Sequence, residues 1–129
     1  MVVTFWASWC GPCRHELPML DDLQKQAGND FLQVIAVNED EDYKAYRAML
    51  RQMKDYSLLL ARDTGRAVFD RYDIKAYPNL WIIDPRGKVV AHEVGHGEGS
   101  FGGIVDRIRK VMLDEIEAQK AAPAPQAGA

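Results

Sequence analysis

The sequence has few cysteines and lacks several features that would point to particular classes of protein. Its 129 residues include only two cysteines, too few for the multiple bridges of a small secreted framework. Its apolar runs reach strand length and fall far short of a membrane span. The formal net charge of −3 offers no basic surface for nucleic acid. We therefore expect no nucleic-acid partner, and a membrane association only through an N-terminal anchor outside this sequence.

The N-terminal residues also lack the basic region, apolar stretch and small-residue cleavage site of a signal peptide. We expect no signal peptide in this chain, which leaves a cytoplasmic location open. Hydrophobic residues make up 47% and charged residues 27%, as in ordinary globular domains. We expect one domain over residues 1–120, followed by a Pro/Ala-rich disordered tail at 121–129.

Strand-like and helix-like segments alternate along the chain and predict an α/β fold. The predicted strands cover residues 2–6, 31–37, 58–60, 80–83 and 89–94. Helices are predicted from about 12 to 27 and over 64–72, another carries an apolar face within 46–53, and the last follows Ser100. The acidic stretch 38–42 is expected to form a loop and a helix N-terminus. This order indicates a mixed central sheet with helices on both faces and an antiparallel hairpin at one edge.

The apolar side chains at helical spacing are the expected inner faces of these helices. They are Leu17, Leu20, Leu23 and Ala27 in the first helix, Tyr46, Met49, Leu50 and Met53 in the second, Val68, Phe69 and Tyr72 in the third, and Phe101, Ile104, Val105, Ile108, Val111 and Met112 in the last. Pro18 is expected to kink the first helix, and Ser100 to cap the last one.

The two cysteines, Cys10 and Cys13, lie at the start of the first predicted helix. Disulfide exchange needs a thiolate, and the unpaired amides and positive dipole end of a helix N-terminus stabilise that charge. Two intervening residues place the sulfurs within bonding reach. We expect Cys10 to be the attacking sulfur and Cys13, one turn inward, to be the buried thiol that resolves the mixed disulfide.

A C-x2-C pair is also half of a zinc site, and such a site needs two further ligands. The three histidines are His15, His92 and His96. His15 would share a helical turn with Cys13, whereas the other two fall near a hairpin strand and a glycine-rich turn. Because nothing brings these groups together, we favour redox chemistry and expect neither a metal nor a cofactor.

Two further residues have alternative interpretations. Glu16 lies one helical turn after Cys13 and could exchange a proton with the resolving thiol, or it could be a solvated helix glutamate. The Tyr77-Pro78 bond precedes a predicted strand and could be cis, although most such bonds are trans. The residues alone leave both questions open.

Residues 3–18, VTFWASWCGPCRHELP, resemble the thioredoxin superfamily. Residues 76–90, AYPNLWIIDPRGKVV, are similar to its TlpA/ResA/DsbE-like branch of thiol-disulfide oxidoreductases, which reduce extracytoplasmic disulfides, including those of apocytochromes c. The resemblance implies that this chain acts on a protein disulfide, receives electrons from a dithiol donor and works outside the cytoplasm, in the periplasm or tethered to a membrane. We also expect a monomer.

The resemblance further implies site roles. Cys10 would be the nucleophile, Cys13 the resolving thiol, Pro78 the cis-proline opposite the sulfurs and Glu16 the acidic group near them. The residues expected to form the substrate-binding surface are Trp9, Gly11, Pro12 and Tyr77. The interior Gly-Pro pair is shared with reducing thioredoxins of about −270 mV and favours a reductase.

The sequence departs from the family pattern at three places. Thr4 stands where thioredoxins carry a buried aspartate, and Asn79 replaces the threonine common after the cis-proline. The family's N-terminal strand or hairpin is not apparent, so we expect residues 2–6 or a neighbouring strand to expose apolar surface. The alternative function is a thiol-independent binding or metal-carrying module that uses the groove by Pro78 or the His92 and His96 pair.

Overall fold

A five-stranded mixed sheet forms the centre of the computed structural model, which describes residues 1–39, 42–95 and 100–121, with the backbone alone for 100–102. The strands are β1 (Val2–Trp6), β2 (Val34–Glu39), β3 (Leu59–Asp63), β4 (Asn79–Ile83) and β5 (Val89–Val94). Their order is β3-β2-β1-β4-β5. Neighbours among β1, β2 and β3 are parallel, whereas β4 is antiparallel to both β1 and β5. The predicted α/β sheet with an antiparallel hairpin edge is confirmed.

Four α-helices connect or follow these strands within the described ranges. They are α1 (Gly11–Ala27), α2 (Tyr43–Gln52), α3 (Ala67–Arg71) and α4 (Ser100–Ala121), and a 3₁₀ turn (Thr64–Arg66) precedes α3. The predicted order of strands and helices is confirmed. In the part of the chain that the structure describes, no helix combines the length and the apolar character needed to cross a membrane.

Side chains of β1 alternate between two apolar layers, as the period of a strand requires. Val2 and Trp6 belong to a large buried cluster that includes side chains of α1, α2 and α4. Phe5 points to the other face and packs edge-on against Phe69 of α3, with ring centroids 4.9 Å apart. Helices therefore cover both faces of the sheet, as the sequence predicts.

The helix α1 begins at the cysteine pair and runs unbroken to Ala27. Cys10 is its N-cap residue, and Pro12 lies in the first turn, where a missing backbone donor costs nothing. The helical hydrogen-bonded span continues through Pro18, the expected kink site. Leu17 and Leu20 are buried in the main cluster, so this face fixes α1 on the sheet.

The second strand differs from its predicted bounds at both ends. Phe31 is exposed because the chain first turns at Gly28, whose carbonyl accepts hydrogen bonds from the amides of Phe31 and Leu32. Gly28 has a φ of +85°, which a glycine adopts without strain. At the other end, β2 includes Asn38 and Glu39, which the prediction assigned to a loop.

The third helix is shorter than predicted. It consists of five residues after the 3₁₀ turn. Phe69 is buried, but Val68 and Tyr72, also predicted to face inward, are exposed. A five-residue helix presents too narrow a face to bury all three side chains.

The exposed apolar side chains of the sheet lie on its two edge strands, β3 and β5, and not on β1, which is the central strand. They are Leu59 on β3 and Val89, Val90 and Val94 on β5. Both strands are sheet edges with only one neighbouring strand, so fewer of their side chains are covered by the rest of the protein.

Some predictions lie outside the described residues. These are the glycine-rich turn at 96–99 with His96, the tail at 122–129, and the side chains of Ser100 and Phe101. Ala121, which was assigned to the tail, is the last residue of α4.

Candidate functional site

The sheet brings the ends of four strands together at one edge of the molecule. Phe5 near the end of β1 pairs with Asn79 at the start of antiparallel β4, so the cysteine loop and the segment preceding β4 are neighbours. Trp6 pairs with Asn38, and Glu39 at the end of β2 pairs with Asp63 at the end of β3. Loops at such strand ends form the sites of α/β proteins.

Cys10 and Cys13 form a disulfide at the N-terminus of α1, with Cα atoms 5.3 Å apart. The backbone N–H of Cys13 points to the Cys10 Sγ at 3.2 Å, so the first sulfur occupies the position of a helix cap. Cys10 is 5% exposed, whereas Cys13 is fully buried. The helix end therefore favours negative charge on the Cys10 sulfur in particular, since the Cys13 amide is directed there.

Glu16, also on α1, is buried and is therefore not a solvated glutamate. Its carboxylate accepts a hydrogen bond of 2.5 Å from the Thr4 hydroxyl of β1, which is also buried. Thr4 and Glu16 thus form a polar pair between the strand and the helix. Because Glu16 follows Cys13 by three residues, the two side chains share the buried face of α1, about 5–6 Å apart at Cβ.

The Tyr77-Pro78 peptide bond is cis, and Pro78 directly precedes β4. The Tyr77 ring packs edge-on against Trp9 of the cysteine loop, with centroids 5.3 Å apart. Trp9 is 64% exposed, and Gly11 and Pro12 are also exposed. The predicted binding residues therefore form a rim beside the disulfide that is exposed at Trp9, Gly11 and Pro12 and half-buried at Tyr77.

The sequence did not predict a role for Glu39, the residue that is hydrogen-bonded to both Trp9 and Tyr77 of this rim. Its Oε1 accepts a hydrogen bond of 3.0 Å from the Trp9 indole, and its Oε2 accepts one of 2.5 Å from the Tyr77 hydroxyl. Arg66 also donates to Oε2, at 2.7 Å. The position of Glu39 directly after an apolar strand run was the available signal, but its acidic neighbours suggested a helix N-terminus instead.

The pKa values of this cluster reflect the shared hydrogen bonds. Burial acts to raise the pKa of the Glu39 carboxyl, but the hydrogen bonds from Tyr77, Trp9 and Arg66 outweigh it and hold the pKa below its usual range. Burial raises the pKa of Tyr77, and its bond to Glu39 raises it further. Glu39 is therefore an anion and Tyr77 a neutral donor at neutral pH.

Asn79, the residue after the cis-proline, makes a second polar cluster on the other side of the loop. Its buried Oδ1 accepts from the Trp81 indole at 2.9 Å, and His92 Nε2 lies 2.7 Å from the same oxygen. Because a carbonyl oxygen only accepts, His92 Nε2 carries a proton. The imidazole also stacks on Trp81 at 3.7 Å between centroids. His92 therefore supports the cis-proline loop through Asn79.

In the described ranges, 1–39, 42–95 and 100–121, no three His, Cys, Asp or Glu side chains form a candidate metal cluster. His92 is held by Asn79 and Trp81. His15 is exposed on α1, and His96 lies outside the described residues.

A cysteine pair at the N-terminus of the helix that follows a central strand, with a cis-proline directly before the neighbouring antiparallel strand, is the arrangement that defines the thioredoxin class of folds. A family model described as Thioredoxin-like matches residues 1–89. The chain belongs to this family.

The similar proteins indicate the branch. The thiol-disulfide oxidoreductase ResA of Bacillus subtilis (strain 168) is 34% identical over 90 residues, which cover 68% of this chain and 49% of the relative. The crystal structure of a candidate thiol:disulfide interchange protein DsbE from Chlorobium tepidum superposes with a TM-score of 0.77 at 30% identity, over 86% of this chain and 78% of that one. The predicted ResA/DsbE branch is confirmed.

A further solved relative is the pneumococcal exposed lipoprotein thioredoxin Etrx1 from Streptococcus pneumoniae strain TIGR4. It is 27% identical, with a TM-score of 0.67 over 84% of this chain and 82% of that one. The chain spans about half the length of the curated relatives that it matches.

Proposed function

We propose that the protein is a thiol-disulfide oxidoreductase that reduces disulfides of other proteins. The observation that carries this proposal is the Cys10–Cys13 disulfide at the N-terminus of α1, with the Cys13 amide directed at the Cys10 sulfur. Membership of a family whose relatives are named thiol-disulfide oxidoreductases supports it.

The proposed reaction begins with the reduced dithiol. The Cys10 thiolate attacks a substrate disulfide, forms a mixed disulfide and releases one substrate thiol. The Cys13 thiolate then attacks the Cys10 sulfur, which releases the second substrate thiol and forms the Cys10–Cys13 disulfide. The substrate gains the two electrons and two protons that the protein dithiol loses, and an external dithiol donor restores the reduced pair.

Glu16 is the proposed proton acceptor for Cys13 in the second step. The Cys13 thiol is buried and must lose its proton before it attacks. Glu16 is buried on the same helical face, and its hydrogen bond from Thr4 fixes its orientation. Pro78 would present the backbone of Tyr77 to an incoming peptide, which could pair with it as an added strand.

The proposed substrates are extracytoplasmic protein disulfides, including those of apocytochromes c. Similarity to ResA and DsbE supports this class, and similarity to Etrx1, an exposed lipoprotein thioredoxin, supports a location outside the cytoplasm. We propose that the protein acts there as a monomer.

Trapping of the mixed disulfide tests the proposed reaction. In Cys13→Ser the second step is blocked, so the reduced variant mixed with oxidised insulin should form a covalent adduct that dithiothreitol releases. The adduct is measured by mass spectrometry of the intact protein.

Cys10→Ser is the matched control, because it keeps one cysteine but removes the proposed nucleophile. It should form far less adduct than Cys13→Ser. Equal adduct formation by the two variants, or none by Cys13→Ser, would contradict the proposed roles.

A further inference from the structure

Glu39 accepts hydrogen bonds from three donors that come from three separate segments around the disulfide. Trp9 belongs to the cysteine loop, Tyr77 to the cis-proline loop and Arg66 to the 3₁₀ turn after β3. The Glu39 side chain is 15% exposed, so it lies under the rim that these residues form. One carboxylate therefore connects both walls of the proposed substrate groove.

This arrangement differs from an ordinary surface ion pair, which contributes little because both partners are mobile. Two of the three donors, the Trp9 indole and the Tyr77 hydroxyl, are neutral groups in the site loops. They also contact one another through their rings. The hydrogen bonds and the ring contact restrict the same two side chains.

The backbone before α3 gives a second, independent observation. Arg66 has a φ of +59°, a left-handed conformation that costs a non-glycine residue about 1 kcal/mol. Gly65 before it has a φ of +74°, which glycine adopts freely. The resulting turn holds Arg66 against Glu39 and over the Phe69 ring, at 5.1 Å from its centroid.

We propose that Glu39 is a positioning residue that holds Trp9 and Tyr77 in the orientation that receives a protein substrate. This inference rests on the proposed function and concerns the groove, not the sulfur chemistry. Trp9 is largely exposed and would sample several rotamers without the bond to Glu39. The carboxylate keeps the indole beside Tyr77, so binding a peptide costs less conformational entropy.

The substitution Glu39→Gln removes this positioning role with almost no change in the shape of the side chain. The carboxylate serves Trp9 with one oxygen and Tyr77 and Arg66 with the other. A carboxamide has one acceptor oxygen and one NH₂ group that donates. In either orientation of the side chain, the NH₂ group therefore faces a protein group that also donates. The Trp9 indole and the Arg66 guanidinium only donate, so the variant keeps one of these two bonds. The charge-assisted bond to Arg66 is the stronger, so we expect the Trp9 bond to be lost.

The first measurement uses the oxidised protein without substrate. The ¹H–¹⁵N signal of the Trp9 indole is assigned with Trp9→Phe, and its hydrogen exchange is compared in wild type, Glu39→Gln and Tyr77→Phe. Protection of this exposed indole in wild type, reduced in both variants, is the expected result. Glu117→Gln, an exposed change on α4, is the matched control and should leave the signal unchanged.

The second measurement separates groove binding from thiol reactivity. Reduced protein is mixed with insulin at increasing concentrations, and also with the small disulfide dithiobis(nitrobenzoate), which needs no groove. Glu39→Gln should raise the half-saturating insulin concentration about three- to tenfold, as expected for a lost hydrogen bond. The limiting rate and the rate with the small disulfide should stay within about twofold of wild type.

The outcomes distinguish the two proposals. An unprotected Trp9 indole in wild type, an unchanged half-saturating concentration in Glu39→Gln, or an equal loss of rate with both disulfides would each overturn the positioning role. Failure of wild type to reduce insulin would count against the proposed function, while indole protection would still decide whether Glu39 holds Trp9.

Discussion

At the scale of single residues, the two cysteines differ in their surroundings although they belong to one disulfide. Cys10 caps α1 and accepts a hydrogen bond from the Cys13 amide, while Cys13 is fully buried one turn before Glu16, which is bonded to Thr4. A thiolate is stabilised at the first position by backbone donors, whereas the second needs a separate base. This difference is the physical reason for assigning attack to Cys10 and resolution to Cys13.

Substitution of Glu16 tests its proposed role as proton acceptor. Glu16→Gln keeps the volume and an oxygen for Thr4, but it accepts no proton near neutral pH. We expect the second step to slow by about 10²-fold at pH 7, with accumulation of the mixed disulfide. Stopped-flow mixing with insulin, followed by acid quenching and mass analysis, measures both quantities.

The dependence of this defect on pH separates proton transfer from a structural effect. At higher pH, Cys13 loses its proton without needing Glu16. The difference in the rate of the second step between Glu16→Gln and wild type should therefore shrink between pH 7 and 9. A defect that is constant across this range, or a rate within twofold of wild type at pH 7, would exclude Glu16 as the acceptor.

The sequence identifies the cysteine pair and its helix but not the cluster around Glu39. A C-x2-C pair between a strand and a helix is a local sequence pattern. Its location at the helix N-terminus is enough to predict a stabilised thiolate. The bonds of Glu39 join residues 30 and 38 positions apart, and pairing of β2 with β3 brings Arg66 to it. Such contacts depend on the packed sheet, so local spacing does not predict them.

At the scale of secondary-structure elements, α1 is anchored at its middle by Asp21 as well as by its apolar face. Asp21 Oδ1 accepts from the Ser57 amide at 2.6 Å and from the Ser57 hydroxyl at 3.0 Å. Its other oxygen pairs with Lys25 at 2.8 Å. Because Ser57 precedes β3, these bonds connect the cysteine helix to the edge of the sheet.

The pH dependence of stability tests this anchor. Burial acts to raise the pKa of Asp21, but hydrogen bonds from Lys25 and Ser57 outweigh it and hold the pKa below its usual value. A lowered folded-state pKa stabilises the fold above the unfolded value of about 4, and that contribution disappears as pH falls through the folded value. Asp21→Asn should therefore lose about 1–2 kcal/mol at pH 7.

The difference from wild type should narrow as pH falls below about 4, because Asp21 of the unfolded chain is protonated first and Asp21 of the folded protein only at its lower pKa. Urea unfolding at several pH values gives both free energies. Asp22→Asn, an exposed neighbour on α1, is the control and should change stability little. A loss in Asp21→Asn that persists undiminished at pH 3 would show that its charge does not support the anchor.

The elements themselves were predicted well where apolar periodicity is strong, and less well where a turn intervenes. The bounds of β1 and β5 agree with the prediction. The start of β2 was placed too early because apolar Phe31 extends the run, although the turn at Gly28 already occupies that segment. The pattern of apolar residues does not show which backbone amides will form hydrogen bonds within a turn.

At the scale of the whole molecule, the sheet topology creates the site. Parallel β1, β2 and β3 end at one edge, and antiparallel β4 begins there. The cysteine loop, Glu39, Arg66 and the cis-proline loop consequently meet without long connections. Two apolar layers fix this sheet from both faces, so the loops of the proposed groove are held by rigid elements.

The central claim, that this dithiol reduces other proteins, is tested most directly by the reduction potential of the Cys10–Cys13 pair. The protein is equilibrated with defined ratios of reduced to oxidised dithiothreitol or glutathione, and the fraction of free thiols is measured by alkylation and mass analysis. We predict a reversible two-electron transition near the roughly −270 mV of reducing thioredoxins. A potential near the roughly −120 mV of a strong oxidant, or no reversible transition, would contradict the account.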